Sequence, residues 1–503
     1  MPTLADLESK YFPGTLGAVP HAQDTEVIAH IDGVAYFSAL ATAINATSGT
    51  GDVIYIVGWA FDTALKLLDP APPTIMELLA QKAVAGVDVK VVLWTGRNQI
   101  PDAATEFGDL AYWMGPLPDQ WSFKSTVEAN MVAAKEMRTF ESSPGVKPLE
   151  NRVLLDWSGL PRGSRHQKYV VVYNKTLQEM RAFVGGIDLH PQRRATPDHP
   201  DADHNWHDVG VELRGDGARS VWADFQTRWN EVVSLPSAHF ISPSRGKSEF
   251  NPGTYTTTLS AAGAVVTPVP TTTNSVRVCR SYAKVKDMTD PLLHSIPWDT
   301  TPPAGGLTQI LELYQKAINS ATRIIYIEDQ GLNNPSLFTA HALLFPLIGN
   351  AMLRGVKVIF ICGGDGADYI YSLSLFQELG VPVATTHFKM FRVNEIYVHS
   401  KIVLIDDEFA AVGSANFWDR SMTGMDTELT AAIVDTGPWV RDLRVKLMAE
   451  HFRVDVTSAA IKSVLEDVDQ ALAMFGFGAP TVGFPHPDSR VYEVHRALPS
   501  TKI

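Results

Sequence analysis

Two stretches far apart in this chain of 503 residues follow one pattern. SRHQKYVVVYN leads to AFVGGIDL, and YVHSKIVLIDDEF leads to AAVGSANFWDRSM. Each places a His-x-Lys pair on an apolar run of strand length, followed by a Gly-Gly or Gly-Ser turn. Side chains alternate along a strand, so His166 and Lys168 share one face, as do His399 and Lys401. One such pair is ordinary. Two in one chain predict two half-sites that meet, with two imidazoles and two ammonium groups converging on one point. That set suits a phosphodiester: one His attacks phosphorus, the other protonates the leaving oxygen, and the lysines hold the charge.

The flanks repeat as well. DVIYIVGWAFD (Asp52–Asp62), MELLAQKAVAGVD and VKVVLW read as strand, helix and strand. RIIYIEDQ (Arg323–Gln330), LFPLIGNAMLRGV and KVIFICGG read the same way, with helix-ending glycines at Gly86 and Gly355. After the His-x-Lys runs come HDVGVEL and TELTAAIVD, then the amphipathic helices ARSVWADFQTRWNEV and PWVRDLRVKLMAEHF. The prediction is an α/β protein of two similar lobes, each a largely parallel mixed sheet flanked by helices, packed about a pseudo-twofold axis.

The first lobe is expected over 1–245, with an insertion near 98–163 that holds Trp113, Met114, Trp121, Met131, Met137 and Trp157. Such an insertion is either a lid over a binding site or an extra helical layer. A Ser-, Thr-, Gly- and Pro-rich linker is expected over 246–275, and the second lobe over 276–503. The tail Phe475–Pro487 reads as an irregular surface segment.

Apolar content of 45% and charged content of 19% belong to an ordinary globular protein. The net charge of −13 argues against general nucleic-acid binding, which needs a basic footprint. A locally basic cleft remains compatible with it. Cys279 and Cys362 read as reduced core thiols, too few for a disulfide framework. No basic segment followed by an apolar run opens the sequence, and no apolar stretch reaches spanning length, so a cytoplasmic monomer without a transmembrane segment is expected.

Around the second His-x-Lys, Gly413 and Ser414 allow a tight turn close to a ligand, and Asn416 offers an amide donor. Asp406 ends the strand. Glu428 could accept from the His399 Nδ1–H and leave Nε2 free to react, with Asp426 as the competing acid.

These residues carry a resemblance. HSKIVLID with GSANFWDRSM resembles the second His-Lys-Asp motif of the phospholipase D superfamily. HQKYVVVY with GGIDL resembles the first, in the form taken by true phospholipases D. The resemblance runs from about Asp52 to about Phe452. It implies a bilobed α/β fold, one active site between the lobes, and catalysis through a covalent phosphohistidine without metal or cofactor. It further implies His166 as nucleophile and His399 as general acid, then base. Lys168, Lys401 and Asn416 match phosphate-binding positions, with Ser414 and Gly186 in the adjoining turns. Asp208 matches the acid that orients the first His, and Glu428 its counterpart.

Two positions depart from the family pattern. Tyr173 stands where the first motif should end in Asp, and it is expected to substitute by packing or hydrogen bonding at a structural position. Asp188 stands where the other half has Asn416, and is expected to bind a donor on the substrate or orient a neighbour. DHPDADHNWHD (Asp198–Asp208) looks superficially like a metal site but reads as a polar loop; an ion held there by oxygen ligands would be calcium before zinc. Trp59 and Asp62 line the pocket or belong to the core.

The leading functional expectation is a phosphodiesterase acting on phospholipid at a membrane or micelle surface, with possible phosphatidyl transfer to alcohols. A cardiolipin synthase-like transferase, a nuclease (disfavoured by charge) and a partly degenerate binding protein are the alternatives.

Overall fold

The structure is a computed structural model. It describes residues 2–16, 22, 24–95, 123–156, 163–200, 205–234, 259, 265–269, 273–282, 306–331, 343–363, 372, 376–393, 396–477 and 491–493. Trp113, Met114, Trp121, Trp157, most of the expected linker and the tail beyond Phe477 lie outside these residues.

The first lobe is a seven-stranded sheet. Its strands are β1 (Thr25–Ile31), β2 (Val53–Gly58), β3 (Asp88–Trp94), β4 (Val153–Asp156), β5 (Tyr169–Asn174), β6 (Glu179–Gly185) and, beyond a two-residue β7 (Trp206–His207), β8 (Val209–Gly215). The spatial order is β1-β8-β6-β5-β2-β3-β4. The second lobe contains β9 (Asn274–Tyr282), β10 (Leu307–Thr308), β11 (Ile324–Asp329), β12 (Lys357–Cys362) and β13 (Phe388–Val393). After a short β14 (Tyr397–Val398), it continues with β15 (Ile402–Ile405), β16 (Phe409–Gly413), β17 (Glu428–Asp435) and β18 (Val491–Glu493). Its order is β10-β9-β17-β16-β15-β11-β12-β13-β18.

With the edge strands β10 and β18 set aside, the two orders match strand for strand. β2–β3 and β11–β12 are the parallel pairs foreseen from the strand–helix–strand pattern. β5 and β15, each entered directly after a His-x-Lys segment, lie antiparallel beside them. Each then enters a meander, β5-β6-β8 or β15-β16-β17, whose pairs are antiparallel. Helices carry the parallel crossovers, and of the antiparallel pairs β5–β6 and β15–β16 are joined by short turns.

Gly86 and Gly355 end the crossover helices in the left-handed conformation, at φ +95° and +96°. β2, β5, β11, β15 and β17 are buried throughout. The Val- and Ile-rich content of β2, β5, β11 and β15 reflects cover on both faces. One core lies between the lobes and takes in Trp222 and Phe225 of helix Asp216–Ser234 and Leu443 and Met448 of helix Trp439–Phe452. A separate core lies on the outer side of each sheet.

Of the described part of the insertion, helix Phe123–Thr139 is such an outer layer, whereas Val153–Asp156 is strand β4 of the sheet itself. Ala133, Ala134 and Met137 join the first-lobe core. The first helix of the chain, Leu4–Tyr11, lies with the second lobe. Leu7 and Tyr11 enter its core, and Tyr11 stacks on Phe409. Among the described residues no helix is long and apolar enough to cross a membrane.

Candidate active site

Two short parallel bridges cross from lobe to lobe. β7 runs beside β14 with Val398 opposite His207. Arg165 pairs with Thr427, whose N–H donates to the Ser164 carbonyl at 2.8 Å. In each bridge the next residue is a histidine on one strand and an acid on the other. His399 Nδ1 therefore lies 2.7 Å from Asp208 Oδ2, and His166 Nδ1 lies 3.0 Å from Glu428 Oε1.

This corrects the pairing expected from sequence, in which Asp208 orients His166 and Glu428 orients His399. Each acid serves the imidazole of the opposite lobe. Alternation assigns a face within a strand, but does not say which strand lies across the lobe boundary. Asp426, the competing acid, is held by Arg420 and by the Ser164 N–H instead.

The glycine and serine of the two turns act on these acids. A side chain at Gly186 would put its Cβ 2.1 Å from Asp208 Oδ1, so glycine leaves room for the carboxylate. At the corresponding position Ser414 Oγ donates to Glu428 at 2.5 Å, and Ser421 adds a bond at 2.7 Å. With both Nδ1 atoms on carboxylates, Nε2 is the nitrogen left for chemistry on each ring.

Lys168 Nζ donates to the His166 carbonyl at 3.0 Å, and Lys401 Nζ donates to that of His399. Asp188 accepts the Ala60 N–H at 3.1 Å and stands 3.7 Å from Lys168 Nζ. Arg193 Nη2 lies 3.4 Å from its other oxygen. Asp188 thus orients neighbours, one of its two expected roles. Asn416 is buried and its Oδ1 has no hydrogen-bond partner.

Aromatic rings stand against both imidazoles. Trp59 is edge-on to His166 at 5.6 Å, with Lys168 Nζ 5.0 Å from its ring centre. Trp206 is edge-on to His399 at 5.0 Å, and the Arg193 guanidinium covers it at 3.3 Å. Asn130 of the insertion helix donates to the Trp59 and Trp94 carbonyls at 2.7 and 2.8 Å, so the insertion braces this wall. Asp62 is half-buried and accepts the Ala64 N–H at 2.8 Å within its own turn.

Sequence reasoning missed Trp206 and Arg193. Trp206 precedes the singled-out Asp208 by two residues, which was a usable signal. Arg193 had none, because it adjoins Arg194, which turns away to the Lys66 and Leu67 carbonyls.

The electrostatics are uneven. Burial, then Lys401, Arg193, Lys168 and His166, hold the His399 imidazolium well below the usual histidine range. Burial raises Asp208 to about 7, against the pull of Lys401 and Arg193. Burial lowers Lys401 to about 8 and also depresses Lys168. Lys168, Lys401 and Arg193 thus stand in a buried site beside Asp188, Asp208 and Glu428, and burial is the first cause of each lysine's shift.

Asp406 and Tyr173 occupy equivalent strand ends. Asp406 accepts the backbone N–H groups of Thr322, Arg323 and Ile324 at 2.8, 2.8 and 3.0 Å, tying the entry of β11 to the end of β15. In the first lobe the carboxylate is on the other partner. Asp52, at the entry of β2, accepts the Lys175 N–H at 2.8 Å and the Ser48 N–H at 2.6 Å. Tyr173 is then free to pack against Trp222 and donate to the Val265 carbonyl at 2.8 Å.

The reading of Asp198–Asp208 as a polar loop is corrected at its described ends. His199 and His207 are buried between the lobes beside Asp32 and Glu450. Contacts across the lobe boundary draw them inward, and local polarity does not reveal such contacts. Asp201, Asp203 and His204 lie outside the described residues.

Comparison with known proteins agrees with this architecture. The phospholipase D family model matches residues 46–204 and 359–438. Phospholipase D alpha 4 of Arabidopsis thaliana is 22% identical over 82% of this chain and 63% of its own length. A cardiolipin synthase A of Pseudomonas putida is 32% identical over 28% of this chain and 30% of its own. The chain thus spans less than two thirds of these relatives. The phosphatidylserine synthase structure from Haemophilus influenzae Rd KW20 aligns with 87% of this chain and 88% of its own at a TM-score of 0.51, with 14% identity, a likeness of fold. The chain belongs to the phospholipase D superfamily.

Proposed function

We propose that this protein is a phosphodiesterase of phospholipase D type, cleaving the headgroup from a phospholipid and able to pass the phosphatidyl group to water or an alcohol. The observation that carries this reading is the crossed pair of His–carboxylate contacts, which gives one cleft two oriented imidazoles flanked by Lys168 and Lys401.

In the first step Nε2 of His166 attacks phosphorus and the bond to the headgroup oxygen breaks. That oxygen takes the proton from His399. The proton is absent from the free site, where His399 is held neutral, and arrives when the phosphodiester anion offsets the surrounding cations. In the second step His399 accepts a proton from water or alcohol, whose oxygen attacks phosphorus as the P–N bond breaks. Lys168, Lys401 and the Asn416 amide carry the charge that builds on the phosphoryl oxygens. Gly186, Ser414 and Asp188 act one contact further out, through the acids and Lys168.

The depressed His399 also favours a second reading, in which the neutral His399 attacks and His166 is the acid. Rapid quenching with radiolabelled phosphatidylcholine, followed by peptide mapping, tests both. Label on the His166 peptide supports the first order, label on the His399 peptide supports the second, and no labelled histidine under turnover conditions rejects the covalent mechanism. Including ethanol and, separately, single-stranded DNA distinguishes transfer and nuclease activity from hydrolysis.

A further inference from the structure

We propose that Asp32, His199, His207 and Glu450 form a resident site for one divalent transition-metal cation of the zinc type, buried beneath His399 and joining the two lobes. This goes beyond the proposed phosphoryl chemistry, in which no metal touches phosphorus.

The four donors come from separate parts of the fold. Asp32 starts the helix Asp32–Ala46, His199 follows the short helix Pro191–Arg193, His207 lies on β7, and Glu450 comes from helix Trp439–Phe452 of the second lobe. All four are buried, and their ligand atoms lie within 4.8 Å of one another.

The edges of the group are short. His207 Nδ1 is 2.7 Å from Glu450 Oε1 and 3.2 Å from Asp32 Oδ1. His199 Nε2 is 3.1 Å from Glu450 Oε1 and 3.4 Å from Asp32 Oδ2. A tetrahedron of ligands at zinc bond lengths near 2.0–2.1 Å has edges of about 3.3 Å. With Asp32 Oδ2 as the fourth ligand atom, the edges are 2.7, 3.1 and 3.4 Å, two near that value and one shorter, and the 3.2 Å contact belongs to Asp32 Oδ1.

Hydrogen bonding alone does not account for the arrangement. Asp32 Oδ2 and His207 Nδ1 are buried and have no hydrogen-bond partner, even though His207 Nδ1 stands against two carboxylates. A cation shared among the four atoms satisfies both. Two carboxylates and two neutral imidazoles also balance a divalent charge, which matters in a site closed to water.

The outer contacts are those of a metal-bound histidine. His207 presents its other nitrogen to Glu328 Oε2 at 3.0 Å. Glu328 is itself held by Ser400 at 2.9 Å, Tyr326 at 2.5 Å and His451 at 2.9 Å. A carboxylate behind a ligating imidazole fixes its tautomer and strengthens its donor atom. Asp32 Oδ1 accepts the Asp208 N–H at 3.2 Å, leaving Oδ2 for the ion. Asp32 also holds φ at +61°, a conformation that costs energy in a non-glycine residue and is retained when something depends on it. Two nitrogens with two oxygens favour zinc or a neighbouring transition metal over calcium, which takes six to eight oxygens. This reverses the preference for calcium drawn from sequence.

The ion would sit one residue from the site chemistry. The His207 carbonyl accepts the N–H groups of His399 and Ser400 at 2.8 and 3.1 Å, and Asp208 follows His207 directly. It is a structural clamp on the strand pair β7–β14, with no path to phosphorus implied.

The test is metal content of the full, tag-free protein from zinc-supplemented medium, together with thermal unfolding after denaturing chelation and refolding with Zn²⁺ alone or Ca²⁺ alone. Expected are about one zinc ion per chain, a melting temperature raised by Zn²⁺ and not by Ca²⁺, and at least about a tenfold loss of bound zinc in Glu450→Gln. His199→Gln serves as a second variant, and anomalous scattering at the zinc edge from wild-type crystals gives a readout independent of variant folding. Folded wild type without metal and without a Zn²⁺ shift overturns the proposal. So does a response to Ca²⁺ alone, undiminished zinc in both variants, or an anomalous peak elsewhere.

Discussion

Glu428 of the second lobe holds the Nδ1 of His166 in the first at 3.0 Å, and Asp208 of the first lobe holds His399 of the second at 2.7 Å. Neither half-site is complete within one lobe. Separating the lobes would strip each imidazole of its acid, so the active centre and the lobe interface stand or fall together.

The crossed pairing predicts which variants couple. Glu428→Gln should lower kcat by about 10²–10⁴-fold, because the amide can stabilise the wrong imidazole tautomer. It should add almost nothing to the loss already present in His166→Ala, and Asp208→Asn should likewise be masked by His399→Ala. The measurement is kcat/KM for the four singles, these two doubles and the two exchanged doubles on a phospholipid ester. Masking in the exchanged combinations, Glu428 with His399 and Asp208 with His166, and not in these, would reject the crossed assignment.

Loss of either histidine should reduce turnover by at least about 10³-fold. His387→Ala should stay near wild type; His387 meets Thr386 at 2.8 Å on an exposed helix. Similar residual rates in all three variants would remove the two-histidine mechanism.

Lys401 links activity to pH and to stability. Burial lowers its ammonium from 10.5 to about 8. The charged form that holds phosphate is therefore lost as pH rises through about 8, and kcat/KM should fall on that limb. For stability the sign is opposite to that of a partnered histidine. The unfolded chain binds the proton more tightly, so the burial cost is fully present below about 8 and fades between about 8 and 10.5. Lys401→Met should abolish activity yet raise stability at pH 7 by up to about 3 kcal/mol, less about 1 kcal/mol for the lost bond to the His399 carbonyl. Urea unfolding at pH 7 and 10 checks this; a destabilised variant at pH 7 would contradict it.

Tyr173→Asp tests the first-lobe substitute for Asp406. The family pattern suggests that this change is harmless. In the structure Asp52 already ties the strand entry, and Tyr173 is a buried ring bonded to Val265. The variant should lose about 3–5 kcal/mol on the scale of a deleted buried aromatic, and activity should fall only as far as the folded fraction does. Asp52→Ala should loosen the same corner. An Asp variant as stable as wild type would mean that the ring contributes little; a large gain in activity would mean that the natural site is impaired.

The sequence by itself determined the lobes and their contents. Apolar runs of strand length, helix periodicity and helix-ending glycines are local signals, and they occur twice in one order, so the two similar lobes were legible from residues alone, whereas the spatial strand order came from the structure. The His-x-Lys pairs were legible for the same reason: alternation puts both side chains on one face. Tertiary structure alone decided which acid meets which histidine, because that depends on the bridges Val398–His207 and Arg165–Thr427 between segments far apart in the chain. It also decided that Arg193 caps Trp206 while Arg194 turns away, and that His199 and His207 are buried with Asp32 and Glu450 instead of standing in a solvated loop. Local pattern specifies a residue's direction relative to its own strand or helix; its partner is set by the packing of one lobe on the other, where the energy of a contact does not depend on separation along the chain.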